Sequence, residues 1–149
     1  MTNLSPILQI EDREEDVFLL QHIFKQVGIE NPIYVAEDGQ EGIDYLAGEG
    51  PYADREKHPF PSLVLLDLKL PRKMGTEVLE WIRADPALRS LIVIVLTSSI
   101  YEKDVQTCYD LGANAFLVKP SGMDNLKEMA RALKDFWLVH NRPPPCAGL

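Results

Sequence analysis

Five short apolar runs, each followed by a stretch of helical periodicity, succeed one another along the chain and leave few folds open. "ILQI" (Ile7–Ile10), "IYVA" (Ile33–Ala36), "LVLLD" (Leu63–Asp67), "LIVIVLT" (Leu91–Thr97) and "NAFLVK" (Asn114–Lys119) read as strands. "LIVIVLT" has no polar interruption before its threonine, the pattern of a strand buried on both faces. Between the runs, apolar residues return at helical spacing. Leu20, Ile23, Phe24 and Val27 precede a stop at Gly28, and a short helix over Glu41–Leu46 has Asp38 as N-cap and Gly48 as stop. Val78, Leu79 and Ile82 mark a third helix ended before Pro86, Glu102–Leu111 a fourth ended at Gly112. Leu126, Met129, Ala130, Leu133 and Trp137 share one face of a long last helix.

Strands that alternate with helices are joined by crossovers, and crossovers between parallel strands are right-handed. The predicted fold is therefore α/β: a single doubly wound (βα)5 flavodoxin-like domain with a parallel sheet in the order 2-1-3-4-5. Residues 1–140 make up that domain, and 141–149, "NRPPPCAGL", lose all periodicity and read as a Pro-rich flexible tail. A chain of 149 residues buries a substantial core without disulfides or metal staples. The connection "GEGPYADREKHPFP" (48–61) is long for this architecture and is expected to be an exposed loop.

Composition removes several function classes. A net charge of −8 opposes direct nucleic-acid binding, which draws its affinity from clustered Lys and Arg. No apolar run reaches membrane-spanning length and the first residues lack a secretory pattern, so a cytoplasmic protein with no membrane partner is expected. Cys108 and Cys146 stand apart and are expected to be free thiols, and His22, His58 and His140 are too scattered for a zinc site.

In a doubly wound sheet the carboxyl ends of strands one, three, four and five lie side by side and form the ligand-binding edge. To that edge the first strand delivers Glu11 and Asp12, the third Asp67, the fourth Thr97 and Ser98, and the fifth Lys119 followed by Pro120. Singly, each has an ordinary role: acids cap helices, an aspartate ends a strand, a lysine faces water. Together, three carboxylates repel one another unless a cation compensates them. Oxygen-only donors select a hard ion, so Mg²⁺ is expected, with Mn²⁺ a usable substitute. A carboxylate beside such an ion, an ammonium and a hydroxyl is equipped to attack phosphorus, with Asp67 becoming an acyl phosphate.

These residues resemble response-regulator receiver domains. The resemblance rests on the acid pair "ED" after the first strand, "DLKLPRKMG" with its Pro and Gly at the family's offsets from Asp67, Thr97 ending strand four and "KP" ending strand five, and covers about Ile7 to Phe136. The long loop before strand three, the "FWL" of the last helix and the lack of an output domain are similar to single-domain cyanobacterial phytochrome response regulators. The resemblance implies a two-component switch in which Asp67 takes a phosphoryl group from a sensor histidine kinase of the phytochrome type. It implies that Glu11, Asp12, Asp67 and the backbone carbonyl of Lys69 hold the Mg²⁺, and that the Lys119–Pro120 bond is cis. Thr97 and Phe116 would form the switch pair that remodels the surface of helix four, strand five and helix five.

Trp81, off the apolar face of its helix, and Tyr101 are candidates for partner contact; Phe136 and Trp137 are expected to pack partly as core, and the apolar residues of a last turn that runs past the sheet are candidates for a homodimer contact. Two rival readings share the pattern. An Asp-nucleophile phosphatase usually carries a second acid two residues after its nucleophile, where this chain has Lys69, and a pseudo-receiver binding module typically lacks one of the acids or the lysine present here.

Overall fold

The computed structural model describes residues 4–145. The elements are β1 (Ile7–Ile10), α1 (Glu14–Gln26), β2 (Ile33–Ala36), α2 (Gly39–Ala47), β3 (Leu63–Leu66), α3 (Gly75–Ala84), β4 (Ile92–Thr97), α4 (Glu102–Asp110), β5 (Ala115–Val118) and α5 (Met123–Leu133). The five strands pair in parallel in the order β2-β1-β3-β4-β5, the order expected from the sequence. The first two strands have the bounds of their apolar runs; β3 stops one residue earlier, β4 starts one later and β5 loses one at each end, the usual fraying of strand ends.

Side chains alternate across the sheet and feed two apolar layers. Leu8, Ile10, Val64, Leu66, Val93 and Val95 pack with residues of α2, α3 and α4, whereas Ile7, Leu63, Leu65, Ile92, Ile94 and Leu96 pack with α1 and α5. The helices end as their sequences specify. Asp38 Oδ1 accepts from Glu41 N at 2.7 Å to start α2, and Gly48 closes it in the left-handed conformation at φ 70°.

The register decides what meets at the edge. Ile10 pairs with Leu66, and Thr97 pairs with Val118. Glu11 and Asp67 therefore leave adjacent strands at the same level, and Lys119 leaves the strand beside Thr97.

Several details depart from the sequence-based expectations. The 48–61 connection is anchored: Arg55 donates to the carbonyls of Tyr45 (2.8 Å), Leu46 (2.9 Å) and His58 (3.2 Å), and Tyr45 donates its hydroxyl to Pro59 O at 2.9 Å. Arg55 thus satisfies the Leu46 carbonyl at the end of α2 and adds a second donor to Tyr45 O, which already accepts from Gly48 N at 3.2 Å, while Tyr52 and Phe60 pack against the core. Trp81 is half-buried and packs against the α2–α4 layer rather than standing free. The last helix passes after Leu133 into wider π-type turns over Lys134–His140. The Lys119–Pro120 peptide is trans, the geometry that most X–Pro bonds adopt.

Pro143, Pro144 and Pro145 line a cleft with Pro6, Phe60 and Leu91. Cys108 is free and buried, whereas Cys146 lies outside the described residues. Among the described residues, no helix is long and apolar enough to cross a membrane.

Candidate functional site

The site is organised around one ammonium group. Lys119 Nζ donates to Glu11 Oε1 at 2.5 Å, to Asp16 Oδ2 at 2.9 Å and to Asp67 Oδ2 at 3.0 Å. A lysine has three N–H donors, and each here has a carboxylate. Glu11 and Asp67 are only 3% and 8% exposed, so both face Lys119 in a largely desolvated setting. The other oxygen of Asp67, Oδ1, accepts from Leu68 N at 2.6 Å.

The charges are unequal, with three carboxylates against one ammonium. Burial pushes the Glu11 carboxyl up to about 7, opposed by its hydrogen bond from Lys119 and reinforced by the charge of Asp67. Burial alone would lower Lys119, but hydrogen bonds to Glu11, Asp16 and Asp67 outweigh it and hold the ammonium well above its ordinary range. Lys119 stays protonated, and the cluster carries surplus negative charge.

Asp12 is exposed and makes none of the Lys119 contacts; it shares a neighbouring cleft with Glu11, Glu14 and Glu37. Lys69 is exposed as well. Among the described residues no three acids, histidines or cysteines stand together as a metal cluster, and it is Lys119 that bridges Glu11 and Asp67. The donor chemistry nevertheless suits a hard divalent cation: every candidate ligand is an oxygen, and the acids are under-compensated.

Thr97 is buried, 1% exposed, and its Oγ1 accepts from Ser99 N at 3.3 Å while its carbonyl accepts from Lys119 N at 2.7 Å. Phe116 pairs with Val95, two residues before Thr97, so Thr97 and Phe116 lie on the same face of the sheet. The phenyl ring is half-buried against the α2–α4 layer.

Two glycines fix the loop that carries Asp67. A Cβ on Gly75 would stand 2.2 Å from Asp67 O, and one on Gly39 would stand 1.9 Å from Lys73 O. Only residues without a side chain allow α2 and α3 to approach the loop this closely. Beneath the site lies a cavity of about 100 Å³, lined by Leu20, Leu65, Leu96, Asp16, Lys119 and Gln9. Gln9 is 4% exposed, and its Oε1 has no hydrogen-bond partner in the protein.

The sequence thus brings Glu11, Asp67, Thr97 and Lys119 to one edge, with Asp12 and Lys69 on its rim. It gives no direct cue to Asp16, which reads as one of three acids in the first turn of α1. A signal was present, since Asp16 lies four residues before Leu20, in line with Leu20, Ile23, Phe24 and Val27. An acid on the core-facing stripe of a helix needs a buried partner.

Residues 7–131 match the family model of the response regulator receiver domain. The chain belongs to that family. Receiver domains are signalling switches rather than enzymes in the ordinary sense, and this receiver is similar over most of its length to other response regulators. Response regulator Rcp1 of Synechocystis sp. is 38% identical over 132 residues, which are 89% of this chain and 88% of that one. The crystal structure of Rcp1 in its Mn²⁺-bound form superposes with a TM-score of 0.85 at 36% identity, covering 95% of this receiver and 99% of that chain. The phosphorylated cyanobacterial phytochrome response regulator RcpA matches at a TM-score of 0.87 and 35% identity with the same coverage, 95% and 99%. RPA3017, a response regulator in red light signalling of R. palustris, matches at 0.90 and 35%, again over 95% and 99%.

Proposed function

We propose that this receiver accepts a phosphoryl group on Asp67 from the phosphohistidine of a sensor kinase of the phytochrome type and signals through a changed surface. The observation that carries the reading is the contact of Lys119 Nζ with Asp67 Oδ2 at 3.0 Å, on an edge shared with the Thr97 hydroxyl. The phytochrome connection is supported by the likeness to RcpA and RPA3017.

An Asp67 oxygen attacks phosphorus, the P–N bond of the phosphohistidine breaks, and its electron pair returns to the imidazole nitrogen. No general base is required, because the nucleophile is already a carboxylate. Lys119 follows the charge onto a phosphoryl oxygen, and the Thr97 hydroxyl donates to another. Mg²⁺, or Mn²⁺ in its place, would be held by Glu11, Asp12, Asp67 and the Lys69 carbonyl, and supplies neutralisation of the phosphoryl oxygens. Hydrolysis reverses the state: water attacks phosphorus, the O–P bond breaks, and the Asp67 carboxylate is restored.

Movement of Thr97 toward the phosphoryl group vacates space on the face that Phe116 shares, and inward rotation of the ring remodels α4, β5 and α5. Such coupling is worth ~1–3 kcal/mol, enough to bias a pre-existing equilibrium. Tyr101 and Val118 are exposed on that surface, available to a downstream partner. Phe136 and Val139, exposed on the last turns of the chain's final helix, are the surface on which a second copy would dock. The setting is cytoplasmic.

The test is incubation with Mg²⁺ and acetyl phosphate, followed by intact-mass measurement. A gain of one phosphoryl group that disappears in Asp67→Asn is expected. Catalytic release of phosphate without a persistent adduct would favour a phosphatase, and no gain at all a binding module.

A further inference from the structure

We propose that Asp16 is a positioning residue for Lys119: it holds one N–H of the ammonium in the unphosphorylated protein and is the partner exchanged for a phosphoryl oxygen, which makes it a brake on the phosphorylated state. This rests on the assignment of Asp67 as phosphoacceptor. All three donors of Lys119 are engaged, at 2.5 Å to Glu11, 2.9 Å to Asp16 and 3.0 Å to Asp67, so a bond to an incoming phosphoryl oxygen requires that one be released.

The three bonds are not equally releasable. The Glu11 side chain is 3% exposed, and in the resting protein stripping a carboxylate at that depth of its only ammonium partner leaves an uncompensated buried charge, whereas Asp16 sits in water's reach. Asp67 carries the phosphoryl group, so Lys119 stays beside it. Asp16 is 31% exposed, and water takes over when Lys119 leaves. A second cation also stands by: the Arg13 Nε lies 3.9 Å from the same Asp16 Oδ2 that Lys119 contacts. Arg13 is well exposed and held only by a surface pair with Glu15, Nη2 to Oε2 at 3.6 Å, so little opposes closure of that gap. The geometry is a relay of one carboxylate between two cations, with Lys119 handed over to the phosphoryl group as Arg13 takes Asp16.

A partner that binds Lys119 in only one state shifts the balance toward that state. Asp16→Asn weakens the hold on Lys119 without changing side-chain size and should raise the fraction of protein phosphorylated by acetyl phosphate and Mg²⁺, and lengthen the acyl-phosphate lifetime, by about three- to fivefold, the range of a partly exposed ion pair. Asp16→Glu keeps the charge and restores the shorter lifetime. Arg13→Ala acts in the opposite sense, because Asp16 then has no second cation to receive it.

A separate measurement needs no phosphodonor. Amine labelling of the resting protein, read residue by residue by mass spectrometry, should show Lys119 labelled several-fold faster in Asp16→Asn than in the parent, with the other lysines unchanged. A lifetime that is equal or shorter in Asp16→Asn, or unchanged Lys119 labelling, overturns the proposal. A parent that takes up no phosphoryl group overturns the phosphoacceptor reading instead, and faster labelling in the variant would then still mark Asp16 as a restraint on Lys119.

Discussion

Gly75 lies against Asp67, the proposed phosphoacceptor: a Cβ there would stand 2.2 Å from the carbonyl oxygen of Asp67 and 2.7 Å from Leu68 Cα, and the Gly75 amide donates to Leu68 O at 2.8 Å. Both close neighbours are backbone, so neither can rotate away. Gly75→Ala must displace the start of α3 or the end of β3. The expected cost is about 1–3 kcal/mol, the usual range for overpacking, together with a shift of Asp67 relative to Lys119. Thermal unfolding should show the loss of stability, and phosphorylation by acetyl phosphate should fall more steeply than the unfolded fraction explains.

Glu11 makes stability depend on pH in an unusual direction. Its carboxyl is raised to about 7 by burial, from an ordinary value of 4.5. Between those values the folded protein binds a proton that the unfolded chain has lost, so stability falls as pH rises through this window, by on the order of 1.4 kcal/mol per pKa unit. Glu11→Gln removes the titration and keeps an acceptor for Lys119. In metal-free buffer the melting temperature of the parent should decline relative to Glu11→Gln from about pH 5 to about pH 7 and run parallel above it. A constant difference across that range would contradict the assignment.

Gln9 offers a gain rather than a loss. Its Oε1 is buried without a protein partner among Leu20, Leu65 and Leu96, on the side of β1 that faces α1 and α5. An unsatisfied buried acceptor costs about 1–3 kcal/mol, less where water reaches it. Gln9→Leu fits an apolar side chain of similar size into the cavity and should raise the denaturant midpoint by about 1 kcal/mol equivalent without changing the slope. Lys119 keeps all three of its carboxylates, so phosphorylation should be retained.

The parts of this receiver that were legible in its sequence are those governed by period and by strand ends. A parallel doubly wound sheet follows from five alternations, the order 2-1-3-4-5 is the common one for five strands, and the meeting of Glu11, Asp67, Thr97 and Lys119 follows from that order. What escaped was side-chain reach. Arg55, Tyr52 and Phe60 have no periodicity, so nothing local shows that the 48–61 connection caps α2 with a guanidinium and packs aromatic rings on the core. Trp81 sits off the stripe of α3 by position but is wide enough to rejoin the core. Asp16 resembled its neighbours Glu14 and Glu15, and only its place on the buried stripe of α1 set it apart.

Lys69 follows Asp67 by two residues and is exposed, and its own carbonyl is among the proposed ligands of the cation. An ammonium tethered there repels a divalent ion, but across water, so the effect is small and screened within about 10 Å at 0.1 M salt. Lys69→Asn removes the charge and should tighten Mg²⁺ binding by about two- to threefold at low ionic strength, a factor expected of an exposed charge pair. The gain should vanish near 1 M salt, where screening acts over about 3 Å. Titration of Mg²⁺ by calorimetry at the two ionic strengths checks both halves. Equal affinities for parent and variant at low salt would show that the Lys69 ammonium stays clear of the ion, and a difference that survives high salt would mean that the substitution acts through the loop backbone rather than through charge.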